Sequence, residues 1–173
     1  MWRWKVNRWT RDGLLSETGT RPGDDSWETP RSLFQELNQE FEFDLDAAAS
    51  DQNTLVPSRY ITEEMNSLDQ DWSRWGSRVW LNPPYGRGME KWIRKAYEQS
   101  LKGITVVVLI FARTDTRWWQ RWAMKAAQVR LIEGRVHFNQ GGKTGPATAP
   151  SAVLIFSEEL RVPQFSKVKL PRN

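Results

Sequence analysis

Ile104-Thr105-Val106-Val107-Val108-Leu109-Ile110-Phe111 is an almost unbroken run of β-branched and apolar residues. No regular alternation with polar residues leaves it a face for water, so it reads as a strand buried on both sides of a parallel sheet. Such a strand needs helices above and below it, and the chain supplies three helical patterns. The first opens at Thr29-Pro30, with Thr29 as N-cap, Pro30 at the first helical position, and Leu33, Phe34, Leu37 and Phe41 on one face. The second begins near Met89 and aligns Met89, Trp92, Ile93, Ala96 and Ser100. The third spans Arg117 to Ala127, capped by Asp115 or Thr114; Trp118, Trp119, Trp122 and Ala126 share one face, Arg117, Arg121 and Lys125 another. Shorter strand candidates lie at Phe43–Asp46, Tyr60–Thr62, Ser77–Trp80, Val129–Ile132, Val136–Phe138 and Ser151–Phe156, with a glycine-rich loop from Asn139 to Pro150. Strands separated by helical patterns, with polar residues at strand carboxyl ends, predict a doubly wound, mostly parallel α/β sheet flanked by helices.

Composition narrows the chemistry. At 173 residues the chain is one domain with little room for a second module. With no cysteine and a single histidine, His137, it has no disulfides, thiolate zinc sites, cysteine nucleophile or histidine metal cluster, so no metal is expected. A formal net charge of +4 leans towards a polyanionic partner. No long apolar segment or signal-like stretch occurs, which predicts a soluble cytoplasmic protein with no membrane partner. Residues 1–25 read as a basic, Trp-rich arm and residues 161–173 as a basic tail beyond a 26–160 catalytic domain; Trp2, Trp4 and Trp9 stand among Arg3, Lys5, Arg8 and Arg11, a mixture able to stack on bases and follow phosphates.

The chemistry concentrates in Asn82-Pro83-Pro84-Tyr85, directly after the strand at Ser77–Trp80. Two consecutive prolines lock two φ angles and withdraw two donors, so the chain leaves the strand along one rigid path. An asparagine amide, a proline carbonyl and an aromatic face are then presented together: two hydrogen-bond acceptors beside a stacking platform. A planar amino group suits that arrangement. Upstream, Phe43-Asp44-Leu45-Asp46-Ala47-Ala48-Ala49-Ser50 places small residues after a strand, where a ligand can approach the backbone closely.

The tetrapeptide resembles the catalytic motif of S-adenosylmethionine-dependent N-methyltransferases. The wider order is Trp-x-Thr-Pro, Phe-Asp-Leu-Asp-Ala-Ala-Ala-Ser, Leu-Asp-Gln-Asp-Trp, Asn-Pro-Pro-Tyr, Arg-Thr-Asp-Thr-Arg-Trp-Trp, Gly-Arg-Val-His-Phe and Pro-Ser-Ala-Val-Leu-Ile-Phe. From Trp27 to Phe156 this is similar to phage-type DNA N6-adenine methyltransferases of the Dam family. The resemblance implies a compact Rossmann-like fold, S-adenosyl-L-methionine as cofactor and double-stranded DNA as partner. It implies that Asn82 and Pro83 activate the target amine, Pro84 fixes the loop and Tyr85 stacks on a flipped base. It assigns Trp27, Thr29, Pro30, Asp46, Ala47, Ala48 and Asp71 to the cofactor, with Asp69 as the rival of Asp71. The strand-one segment departs from the family in carrying Ala47, Ala48, Ala49 and Ser50 where glycines are usual. From their places in strand-end loops, Arg113, Arg135 and Lys143 are candidate DNA contacts. The same tetrapeptide also serves methyltransferases for RNA adenine and protein glutamine amides, and a decayed, DNA-binding version of the fold is a further alternative.

Overall fold

The computed structural model describes residues 28–86, 88–140, 143–158 and 164–169; Trp27 and the arm lie outside them. The elements in chain order are α1 (Arg31–Phe41), β1 (Leu45–Asp46), β2 (Arg78–Leu81), α2 (Met89–Ser100), β3 (Thr105–Phe111) and α3 (Arg117–Arg121). There follow β4 (Gln128–Glu133), β5 (His137–Gln140), β6 (Lys143–Pro146), β7 (Ser151–Phe156) and β8 (Gln164–Lys169). Among the described residues the main sheet has six strands in the order β1-β2-β3-β7-β4-β8, and β5 and β6 form a separate hairpin. β1, β2 and β3 are parallel, as are β4 and β8, and β7 alone runs against its neighbours β3 and β4. The sheet is thus mostly parallel, and its one reversed strand sits near the middle.

The apolar run behaves as its composition requires. Val106 to Ile110 are fully buried in β3. Register shows what covers each side. Trp80, Val107 and Ile155 are cross-strand partners and share a face, and Trp80 meets Phe34 of α1 at 5.5 Å between ring centroids. On the same face Arg130 of β4 pairs with Glu40 and lies 5.3 Å over the Phe41 ring. Val106 and Phe156 face the other way, where Tyr97 of α2 contacts Phe156. So α1 covers one face and α2 the other, with α3 beside α2 through Tyr97 and Trp122. α2 buries Met89, Trp92, Ile93, Ala96 and Ser100 as its periodicity predicts, and also Gln99, whose side-chain oxygen accepts the Trp72 amide at 2.9 Å.

Four local expectations change. Pro30, with ψ 128°, is the N-cap of α1 and Thr29 makes no capping bond; the Pro30 carbonyl accepts the Phe34 amide, so the helix begins one residue later. α3 stops at Arg121 rather than Ala127, because Trp122 at φ −121° leaves helical space before a 3-10 turn at Ala123–Lys125, and Thr116 rather than Asp115 or Thr114 is its cap. The glycine-rich loop is largely the β5–β6 hairpin, tied to Glu28 through mutual backbone bonds with Asn139. Residues 164–169 of the expected tail form β8, in register with all of β4. Propensity alone misses the last two: β6, Lys-Thr-Gly-Pro, is a poor strand sequence held by the adjacent β5, and β8 is held by β4, distant in the chain.

Trp80, 1 % exposed between Phe34 and Phe43, should be the costliest core truncation on the α1 face. Urea unfolding of Trp80→Ala is expected to show a loss of about 3–5 kcal/mol. Leu131→Ala, at a site 44 % exposed, should stay within about 0.5 kcal/mol of the parent.

Candidate active site

Parallel strands carry their carboxyl ends to one edge of the sheet, and that edge collects the residues singled out above. β1 ends at Asp46, followed by Ala47 and Ala48; β2 ends at Leu81, followed by Asn82-Pro83-Pro84-Tyr85. Asp46 and Trp80 are partners in the β1–β2 ladder, and the Ala47 amide bonds the Trp80 carbonyl at 2.9 Å, so the two segments leave the sheet side by side. Asn82 is half-buried, and its carboxamide oxygen keeps less than 1 Å² of accessible surface.

Tyr85 turns inwards. Its ring is 7 % exposed and stacks on Phe111, the last residue of β3, at 4.2 Å between centroids, while Phe138 of β5 meets its edge at 5.9 Å. The phenol donates to the Leu109 carbonyl at 3.4 Å, and burial pushes its pKa far up, so the group stays protonated. Gly86, at φ 137°, lets the chain turn immediately afterwards in a conformation L side chains rarely adopt. Tyr85, Gly86, Phe111, Phe138, Pro146, Ala147 and Thr148 line a cavity of about 270 Å³. That is near the lower bound of small-ligand pockets, roughly 300 Å³, and its walls are mainly apolar with few polar groups.

Asp46 is 3 % exposed. Its carboxylate accepts the Leu55 amide at 3.0 Å and the Ala48 amide at 3.4 Å, which ties the 47–55 loop to the strand end. Burial pushes its pKa up to about 6, with the two amides pulling the other way. Thr29 is also buried, and its hydroxyl has no hydrogen-bond partner; an unsatisfied buried polar group costs about 1–3 kcal/mol, which a bound ligand can relieve. Pro30 is half-buried beside it.

Asp71 does not join this group. It caps the 3-10 turn Trp72–Arg74 and pairs with Lys102 at 2.9 Å, in the connection that leads into β3, so it lies at the amino ends of the strands. Hydrogen bonding from Lys102 and then Ser73 holds its carboxyl below the usual range. The expected cofactor set is therefore split: Thr29, Pro30, Asp46, Ala47 and Ala48 stand at the carboxyl edge, and Asp71 at the opposite one. The reason is that Asp71 comes before β2 and Asn82 after it, so the length of the strand lies between them. Asp69 bonds Asn66 within the same 66–75 segment and is no better placed.

Arg113 follows β3, exposed, with its guanidinium 5.9 Å over the Phe111 ring. Arg135 is exposed just past β4, beside Gly134 at φ 87°. Both stand at the carboxyl edge. For Lys143 the structure describes only the backbone, paired with Gln140 at the hairpin end. Sequence reasoning passed over Phe111, Phe138 and the Pro146–Thr148 strip as cavity walls; the change from apolar to polar residues at Ala112-Arg113 was the available signal. Among the described residues no group of three or more acidic, histidine or cysteine side chains could hold a metal ion, and no helix is long and apolar enough to cross a membrane.

Comparison with known proteins gives the family. The family described as DNA N-6-adenine-methyltransferase (Dam) matches residues 16–171. A DNA N-6-adenine-methyltransferase of Haemophilus phage HP1 (strain HP1c1) is 31 % identical over 150 residues, 83 % of this chain and 85 % of the relative. The chain belongs to the Dam family. A second relative so named, from Escherichia phage T1, is 31 % identical over 155 residues, 79 % of this chain and 64 % of its own length. The family match takes in part of the expected arm and nearly all of the tail.

Asp46 binds a proton more tightly when folded than when unfolded, so the stability it permits is complete below about pH 4 and declines as the pH rises towards and past 6. Unfolding measured from pH 4 to 7 should show that decline in the parent, with a slope from this group of at most about 1.4 kcal/mol per pH unit, and a flatter profile in Asp46→Asn.

Proposed function

We propose that this chain transfers a methyl group from S-adenosylmethionine to N6 of adenine in double-stranded DNA, on a Rossmann-like methyltransferase fold. The observation that carries the reading is the side-by-side exit of Asp46 and Asn82-Pro83-Pro84-Tyr85 at one sheet edge, next to an aromatic cavity, in a Dam-family chain. The names of the phage HP1 and T1 relatives support adenine in DNA as the acceptor. The Dam family and those two phage relatives also support a bacteriophage or prophage origin.

The residues at β1 fit the cofactor. Ala47 is buried against the sheet and half-buried Ala48 adds little bulk at the strand end, Asp46 offers a buried acceptor, and the Thr29 hydroxyl wants a partner. Thr29, Pro30, Asp46, Ala47 and Ala48 would hold it. S-adenosylmethionine supplies there a sulfonium methyl already activated for transfer. The protein then has to orient and activate the amine. Adenine N6 is a poor nucleophile because its lone pair is delocalised into the ring. Accepting its two N–H hydrogens at Asn82 Oδ1 and the Pro83 carbonyl returns electron density to nitrogen, and both bonds strengthen as the amine becomes cationic. Pro83 and Pro84 keep the two acceptors in fixed relation, which is positioning catalysis rather than covalent chemistry. Tyr85 offers its ring to the flipped base. Arg113 and Arg135 are proposed phosphate contacts, since the duplex must approach the edge to which they belong, and Lys143 is proposed as a third from its place at the hairpin end.

Incubation with labelled S-adenosylmethionine and unmethylated duplex DNA, followed by nucleoside analysis, should place the label in N6-methyldeoxyadenosine. Asn82→Ala is expected to reduce turnover about 100-fold or more while cofactor affinity stays near the parent value. Label on RNA or protein in preference to DNA would reassign the acceptor, and undiminished methylation by Asn82→Ala would remove the motif from the mechanism.

A further inference from the structure

Thr29 is not alone in carrying a buried hydroxyl with no hydrogen-bond partner. Ser151 Oγ is the other among the described residues, on a side chain 1 % exposed. Folded proteins leave few such groups, and each calls for a cause. Ser151 opens β7 directly across from Phe111, and paired residues on antiparallel strands project to the same face. By register that is the face of Trp80, Val107 and Asp46, the α1 side. The Ala112 amide bonds the Pro150 carbonyl at 2.7 Å, so the backbone that delivers the hydroxyl is fixed. The cavity wall Pro146-Ala147-Thr148 runs through Ala149 and Pro150 into Ser151.

In this state the site is closed. The Tyr85 ring is occupied by Phe111, and both Asn82 Oδ1 and Ser151 Oγ are enclosed. A base cannot take the Tyr85 face that Phe111 covers without parting those two rings. Phe111, half-buried at a strand end, is the less buried ring of the pair, bordered by Phe138 at 6.4 Å and by the Arg113 guanidinium, whereas Tyr85 is also held by its hydroxyl and by Pro84.

We propose that Phe111 holds the place of the target base on the Tyr85 ring, and that its displacement uncovers Ser151, whose hydroxyl then donates to a ring nitrogen of the flipped adenine. Ser151 is thus a substrate-contacting residue, left without a partner in the free protein because its partner is the base. The inference rests on the reading of this edge as an adenine methyltransferase site. It has a signature that a packing role lacks: removing the hydroxyl relieves the free protein of an unsatisfied buried group while taking a contact from the substrate complex.

The experiment compares parent, Ser151→Ala and Ser151→Cys by thermal unfolding, by S-adenosylmethionine affinity and by kcat/KM for methylation of unmethylated duplex DNA. Ser151→Ala is expected to melt no lower than the parent, to bind the cofactor equally well, and to lose roughly 3- to 10-fold in kcat/KM for DNA, the worth of one neutral hydrogen bond. Ser151→Cys, similar in volume but a weaker donor, should fall between them. A variant that melts lower with unchanged kcat/KM would make Ser151 a packing residue and overturn the proposal. A loss confined to cofactor affinity would also overturn it, by moving the hydroxyl to the other ligand. If the parent methylates no DNA, the adenine reading itself fails; if it does and both variants match it, only the Ser151 assignment fails.

Discussion

Burial of β3 on both faces is the constraint from which the rest of the architecture follows. Val106 to Ile110 have no exposed surface, and a strand in that position must be covered by one layer on each side. α1 supplies one layer through Phe34 and Phe41, α2 the other through Tyr97. A chain that builds parallel neighbours under such layers has to return over the sheet each time, so β1, β2, β3 and β4 end at the same edge. Asp46, Asn82, Arg113 and Arg135 come together because they follow those ends. The site is a by-product of how the core strand is buried.

Two aspartates in one short segment show how position along a strand sets a carboxylate's role. Asp44, at the amino edge, accepts the Ser77 amide at 3.0 Å, the Ser77 hydroxyl at 2.9 Å and the Arg78 amide at 2.8 Å; it holds β2 against β1. The glycine at 76 belongs to that arrangement, since a Cβ there would run into the Asp44 carboxyl and stand 3.0 Å from the Leu45 Cβ. Asp46, at the carboxyl edge, is buried with two amides and a raised pKa. The first carboxylate stabilises the sheet, and the second sits at the carboxyl edge at some cost in stability. Buried hydroxyls without partners at Thr29 and Ser151 belong to the same pattern. Among the described residues, the buried hydroxyls left without partners stand near the edge where a ligand is expected.

The candidate site was legible as far as it rested on local chemistry. Asn82-Pro83-Pro84-Tyr85 could be read because its residue types restrict the backbone whatever surrounds them, and Thr29, Pro30, Asp46, Ala47 and Ala48 because they border an element with a clear pattern. Asp71 lies across the length of β2 from Asn82, and the ion pair that holds it there, with Lys102, joins segments distant in the chain. The hairpin Lys143–Pro146 and the strand Gln164–Lys169 were equally hidden, as their β structure depends on partners supplied by β5 and β4.

Sequence by itself determined the layered α/β class, the buried strand Thr105–Phe111, the inward faces of α1 and α2 and the rigid exit after β2. Periodicity, burial preference and the steric limits of proline act over a few residues, which is why they can be read without a structure. Tertiary structure alone decided that β7 enters the sheet in reverse between β3 and β4, that Tyr85 turns inwards to stack on Phe111, and that Ser151 lies across from that ring. Those facts are contacts between segments far apart in the chain. Their energy comes from pairing and packing, which no single segment contains.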